Sequence, residues 1–134
     1  MAKTVAVIGA SQDRNKYGNK AARAYRDEGW TVYPVNPKLD EVEGMRCYRS
    51  VTDVPDPIDR VAMYVPPRVG KRMIADIAAA KPGEVYFNPG SDDEEIIQMA
   101  ETLGLNAIRA CSILTLGRRP DGYTSEKERG SAGS

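Results

Sequence analysis

The residues of this 134-residue chain with the most to offer chemically stand just after short apolar runs. The first run, Thr4-Val5-Ala6-Val7-Ile8, leads into Gly9, Ala10 and Ser11, with Arg14 and Lys16 close behind. A glycine at a strand end lets backbone approach a phosphate. The N–H groups of a following helix, the Ser11 hydroxyl and the two cations would then complete an anion site. The spacing is not GxGxxG, because Ser11 and Arg14 stand where the second and third glycines would, and the loop is longer. No GKS or GKT is present for a P-loop either.

Two further turns have the same character. Asn36, Pro37 and Lys38 follow the run Thr31-Val32-Tyr33-Pro34-Val35. An NAD site would want an acid there for the ribose hydroxyls. Neutral donors and a cation suit instead an adenosine carrying an extra ribose phosphate, as in NADP or coenzyme A. Val65, Pro66 and Pro67 follow a third run and form a rigid apolar edge on which an adenine would lie, with Pro67 also fit to open a helix. Asn88, Pro89, Gly90 and Ser91 follow a fourth run, and Cys111 and Ser112 a fifth.

Other chemistries are excluded by composition. The chain has no histidine, which removes Ser-His-Asp and Cys-His catalysis and most common zinc sites. Asp13 and Asp59 are the carboxylates nearest these turns, and only position marks them as acid–base groups. The acids Asp92, Asp93, Glu94 and Glu95 are consecutive on a helix start and do not converge, so no metal site is expected. Cys47 and Cys111 make no CxxC pair and no disulfide framework, which fits a cytoplasmic protein. No signal peptide and no run of about 18 apolar residues appears, so no membrane partner is expected.

The 19 basic and 19 acidic side chains balance, which argues against a nucleic-acid partner held by bulk charge. The balance conceals a split. Residues 1–38 carry seven basic groups (Lys3, Arg14, Lys16, Lys20, Arg23, Arg26, Lys38) and three acids (Asp13, Asp27, Glu28), net +4. The surplus lies in the segment that holds the first two turns.

The elements that must position these residues alternate. Strands are predicted over 4–9, Thr31–Val35, 59–65, Glu84–Phe87 and 106–110, several of them continuous apolar runs suited to a sheet buried on both faces. Pro34 lacks an N–H and belongs at a strand end or an unpaired side. Helices are predicted over 18–28, 68–80 and about 92–103, the last with Ser91 and Glu94 at capping-box spacing. Residues 39–57 are irregular, with a short helix opening at Ser50. The pattern predicts an α/β fold: a three-layer, doubly wound, mostly parallel sheet over 1–114, followed by a polar, mobile tail over 115–134. Such sheets bind ligands outside the carboxyl ends of their strands.

In order and spacing, Val-Ile-Gly-Ala-Ser (7–11), Val-Tyr-Pro-Val-Asn-Pro-Lys (32–38), Tyr-Val-Pro-Pro (64–67), Asn-Pro-Gly (88–90) and Cys111 form a specific set. With Gly44, Tyr48 and Ser-Val-Thr-Asp-Val-Pro (50–55), the chain resembles the stand-alone CoA-binding domain proteins over roughly residues 3–114. These are similar to the amino-terminal Rossmann-like domain of the succinyl-CoA synthetase α subunit. The resemblance implies that Gly9, Ala10 and Ser11 hold the CoA pyrophosphate, and that Asn36, Pro37 and Lys38 lie near the ribose and its 3′-phosphate. It places Val65, Pro66 and Pro67 beside the adenine and Asn88, Pro89 and Gly90 along the pantetheine arm. Two positions depart from the pattern: a glutamine-glycine pair common after the fourth strand is replaced by Asn88-Pro89-Gly90, and Arg109-Ala110 precede Cys111 where the family has an acid and an arginine.

The family's ligase reaction passes a phosphoryl group through histidine and needs further domains, so the implied function is non-catalytic binding of coenzyme A or an acyl-CoA, regulatory or accessory to an enzyme. The residues alone also leave open an NADP-dependent oxidoreductase and an interaction module that keeps only the fold. Cys111 reads either as a buried apolar thiol or as the partner of the CoA thiol in a mixed disulfide. A homodimer or an enzyme is the expected protein partner.

Overall fold

The computed structural model describes residues 2–123. Apolar run and glycine alternate as the sequence predicts: β1 Thr4–Ile8, α1 Tyr17–Asp27, β2 Thr31–Val35, a small antiparallel pair β3 Glu41–Val42 and β4 Met45–Arg46, β5 Arg60–Met63, α2 Pro67–Ala79, β6 Glu84–Phe87, α3 Glu94–Thr102, β7 Ala107–Arg109 and α4 Ser112–Thr115. Five strands form one parallel sheet in the order β2-β1-β5-β6-β7. The chain therefore winds outward from β1 to β2, then returns to β5 on the other side of β1.

Successive side chains of the central strands serve two cores, as the pleat requires. Ala6, Ile8, Val61, Met63, Val85 and Phe87 pack with Ile74 and Ile77 of α2 and Ile96 and Ala100 of α3. On the other face Val5, Val7 and Ala62 pack with Ala21, Ala24 and Tyr25 of α1 and Ile113 of α4. Burial on both faces explains why these strands read as unbroken apolar runs. Pro34 lies on the edge strand β2, opposite Val7, where its missing donor costs no ladder bond to β1.

Three local expectations are corrected. The β3–β4 hairpin occupies residues read as irregular, although the short helix after Ser50 forms as a 3-10 turn at Val51–Asp53, with the Ser50 hydroxyl accepting from Thr52 N–H at 3.2 Å. The cap of α3 is Asp93, which accepts from Ile96 N–H at 2.8 Å, and not Ser91. Ser91 is used up in a turn, its N–H donating to the Asn88 carbonyl at 2.8 Å, with Gly90 at φ +94° making that turn. Residues 115–123, assigned to the polar tail, pack on α1. Tyr123 is buried, and buried Arg23 donates to its carbonyl at 2.5 Å and to Asn19 Oδ1 at 2.7 Å. The rest of that stretch, 124–134, lies outside the described residues.

One contact seats α1 on the sheet. A Cβ on Gly18 would stand 2.1 Å from the Gly9 carbonyl oxygen, whereas one on Gly44 would meet nothing within 4 Å. Gly18→Ala is therefore expected to cost about 3 kcal/mol, as overpacking against backbone does. Gly44→Ala, at φ +77°, should cost only about 1 kcal/mol of backbone strain. Urea unfolding of the two variants checks the order.

Candidate ligand site at the strand ends

The carboxyl ends of β1 and β5 meet where the winding reverses, the crevice that open parallel sheets use for ligands. Gly9 closes it. At φ +87° a Cβ there would lie 2.7 Å from the Tyr64 carbonyl oxygen and 2.9 Å from Val65 Cγ1. The turn is tied on both sides, with Gly9 N–H donating to Val35 O at 3.1 Å and Tyr64 N–H to Ile8 O at 2.9 Å. Above it sits the start of α1, whose N-cap, Lys16, makes no side-chain capping bond and whose first turn holds no acid. Its leading N–H groups and positive dipole end are left for an anion.

The predicted residues gather here with one exception. Ala10 is buried, and Ser11 Oγ accepts from Asp13 N–H at 3.0 Å, leaving its own proton to donate. Asn36 joins the ends of β1 and β2, its Nδ2 donating to Ala10 O at 2.8 Å and its Oδ1 accepting from Lys38 N–H at 2.8 Å. Pro37 and Lys38 are exposed beside it, and neither Lys38 nor Lys16 forms an ion pair among the described residues. Arg14 is the exception. It turns to Glu43 at 3.3 Å and lines a hollow of about 680 Å³ between α1 and the 3-10 turn at Pro120–Tyr123. That hollow is rich in arginine, but its cations are engaged internally: Arg26 with Glu43 O at 2.8 Å, Arg118 with Glu28 at 2.6 Å, Arg119 with Asp121 at 3.5 Å.

From the Gly9 turn a second hollow of about 490 Å³ runs along the ends of β5, β6 and β7. Val65, Pro66, Pro89 and Gly90 border it, so the residues expected beside adenine and along pantetheine share one space. Pro67 stands at the start of α2 beside it. Asn88 also faces this space, but its amide is committed to holding the walls. Nδ2 donates to Met63 O at 2.9 Å, and Oδ1 accepts from Ser112 N–H at 2.7 Å. Ser112 in turn bonds the Tyr25 hydroxyl, so α4 is pinned from both sides and carries Cys111 and Leu114 into the hollow.

Sequence reasoning missed Tyr17, Tyr64, Leu114 and Pro120, which also line this hollow. Tyr64 opens the Tyr-Val-Pro-Pro motif and Tyr17 follows Lys16, so both were legible by position; the four residues of α4 are too few to show a helical period. The Tyr64 hydroxyl is buried without a hydrogen-bond partner among the described residues, and burial pushes its pKa up. Of the cysteines, Cys111 borders the hollow half-buried, whereas Cys47 is buried elsewhere and its pKa is raised by desolvation. Asp13 is exposed and accepts from Asn15 N–H at 3.0 Å. Asp59 lies at the opposite edge, accepting from Thr4 N–H at 2.8 Å. The four acids of the α3 start are divided between cations, Asp92 and Glu94 with Arg109, Asp93 and Glu95 with Lys71.

The parallel sheet and its flanking helices define a Rossmann-like α/β domain. The sequence matches the CoA binding domain model over residues 3–117, and the chain belongs to that family. It is similar to the ADP-forming acetate–CoA ligase I of Archaeoglobus fulgidus, 31% identical over 79% of this chain and 17% of the ligase. Similarity to the α subunit of acetate–CoA ligase II from Pyrococcus furiosus is 30% over 78% of this chain and 25% of the subunit. The chain thus spans a quarter or less of the ligases it matches. Among solved structures, a conserved hypothetical protein from Pyrococcus furiosus superposes with a TM-score of 0.77 at 33% identity, covering 86% of this chain and 99% of its own. A dinucleotide-forming acetyl-coenzyme A synthetase from Ca. Korarchaeum cryptofilum, in complex with phosphate and ADP, gives 0.71 at 30% identity over 81% of this chain and 25% of the synthetase.

Asn88→Ala strips partners from the Met63 carbonyl and the Ser112 N–H, and should cost about 3 kcal/mol. Denaturant unfolding measures the loss. Hydrogen exchange should show it first as faster exchange at Ser112.

Proposed function

We propose that this chain binds coenzyme A, without catalysing a reaction on it, as an accessory or regulatory element of an enzyme. The observation that carries this reading is the glycine-tight turn at Gly9 under an uncapped helix start, set against Tyr64 and Val65, which also border an uncharged hollow. A diphosphate needs close backbone and free N–H groups; Gly9 and Ala10, whose own N–H groups bond Val35 O, supply the close backbone, and the Ser11 hydroxyl and the leading N–H groups of α1 supply the donors. Lys38, exposed beside Asn36 and Pro37 and in no ion pair among the described residues, suits the 3′-phosphate, with Lys16 reinforcing the field at the diphosphate. Val65, Pro66 and Pro67 offer the adenine an apolar edge. The pantetheine arm then runs past Asn88, Pro89 and Gly90 toward Cys111. Arg14 is left out, since Glu43 holds it away.

Calorimetric titration with CoA, desulfo-CoA, dephospho-CoA, NADP and ADP tests the reading. CoA and desulfo-CoA should bind alike and more tightly than NADP or ADP. Lys38→Ala should weaken CoA about fivefold, the worth of one exposed ion pair, and leave dephospho-CoA unchanged. Preference for NADP, or no heat with any of the five, refutes it.

The thiol end gives a second expectation. Offered CoA disulfide, the Cys111 thiolate attacks one sulfur, a Cys111–CoA bond forms, the original S–S bond breaks and one CoA thiolate leaves. Peptide mass spectrometry should find the adduct on Cys111 and not on buried Cys47. An adduct on Cys47, or on neither, counts against this path for the arm.

A further inference from the structure

The hollow beyond the Gly9 turn is less polar than a pantetheine arm alone requires. Eleven residues line it and none is acidic or basic, in a chain that is 28% charged. Among the described residues three large apolar side chains are exposed, and two of them, Tyr17 at 57% and Leu114 at 56%, stand at this hollow. They come from different elements, the start of α1 and α4, and share the hollow with Cys111 and the prolines Pro66, Pro89 and Pro120. The polar group best placed to serve an amide, Asn88, is committed to Met63 and Ser112. Exposed apolar side chains that converge on a concave, uncharged surface are stabilised when an apolar group covers them.

Resting on the reading of the chain as a CoA binder, we propose that the hollow receives the acyl chain of an acyl-CoA thioester, and that the protein thereby prefers acyl-CoA of medium chain length to free CoA. The diphosphate end fixes the ligand at Gly9, the arm crosses the β5 and β6 ends, and the acyl group lies between Tyr17 and Leu114. No bond is made or broken. Selectivity comes from apolar area removed from water, which an open hollow captures in part.

Titration of the whole chain with CoA and with acetyl-, butyryl-, hexanoyl- and octanoyl-CoA tests it. Each added methylene should tighten binding about twofold to fourfold until the hollow is full, so hexanoyl-CoA should bind at least about tenfold more tightly than acetyl-CoA. Leu114→Asp should bring that ratio to within about threefold of unity. Leu103→Asp, a change at the exposed apolar residue after α3, should leave it intact and serves as control. A flat series in a chain that binds free CoA overturns the acyl proposal and leaves the CoA reading standing. So does a dimer that Leu114→Asp dissociates in sedimentation while the series stays flat, which would give the hollow to a second copy of the chain. No binding of CoA or of any acyl-CoA overturns both.

Discussion

The close approach of Gly18 to the Gly9 carbonyl oxygen is the constraint on which the site is built. With no side chain on either residue, the start of α1 settles onto the turn after β1, and that turn settles against the backbone of Tyr64 at the end of β5. Three backbone segments thus meet at the point where the sheet's winding reverses. Under the proposed function, a charged ligand arriving there would meet the leading N–H groups of α1 across closely approaching backbone. The same packing explains the unfamiliar spacing of the motif. The second glycine that close helix–strand packing requires stands at position 18, at the far end of a loop that holds Ser11 and Lys16.

Around this junction, carboxamides hold the strand ends in place. Asn36 joins the turn after β2 to Ala10, and Asn88 joins the ends of β5 and β6 to the start of α4. Each spends its hydrogen-bonding capacity on backbone partners, so each positions the site more than it offers groups to a ligand. The charge of the amino-terminal segment is thinned in the same way. Arg14 pairs with Glu43, Arg23 is buried among carbonyls, Arg26 bonds Glu43 O, and Lys3 and Lys20 lie over the Trp30 and Tyr17 rings. Of the seven cations that make the segment positive, Lys16 and Lys38 have no such partner among the described residues, Lys16 at the N-cap of α1 and Lys38 beside Asn36. A diffuse surplus of +4 in the sequence becomes two localised charges in the fold.

The sheet was legible because its strands are buried on both faces, which leaves unbroken apolar runs such as 4–8 and 61–65, and because the helices between them carry a regular apolar stripe. What escaped was decided by contacts across the chain. Ser91 has the right spacing for a cap, yet the turn at Gly90 consumes it and the role passes to Asp93. Arg14 has the right type and place for an anion site, yet Glu43, which is 29 residues away in sequence, captures it. Residues 115–123 read as part of a polar tail, since α4 is one turn long and Tyr123 finds its cover on α1, about a hundred residues back. The wall of the hollow supplied by Leu114 and Pro120 was invisible for the same reason.

The distribution of charge along the crevice also bears on what the domain contributes by itself. Under the proposed function, Lys16, Lys38 and the leading N–H groups of α1 stand at the diphosphate end, while among the described residues the hollow for the thioester is lined by no carboxylate, ammonium or guanidinium group, and burial raises the pKa of Tyr64 there. General acid–base catalysis needs a group within reach whose pKa lies near the working pH, and among the described residues the hollow offers as titratable groups the Cys111 thiol and the hydroxyls of Tyr17 and Tyr64. Under the proposed function the fold therefore separates holding from reacting. It grips the nucleotide where charge is useful and leaves the acyl end in uncharged surroundings open to a partner. Chemistry at the thioester would draw its acid, base or metal from that partner, much as the ligase relatives extend well beyond the quarter or less of their length that this chain matches.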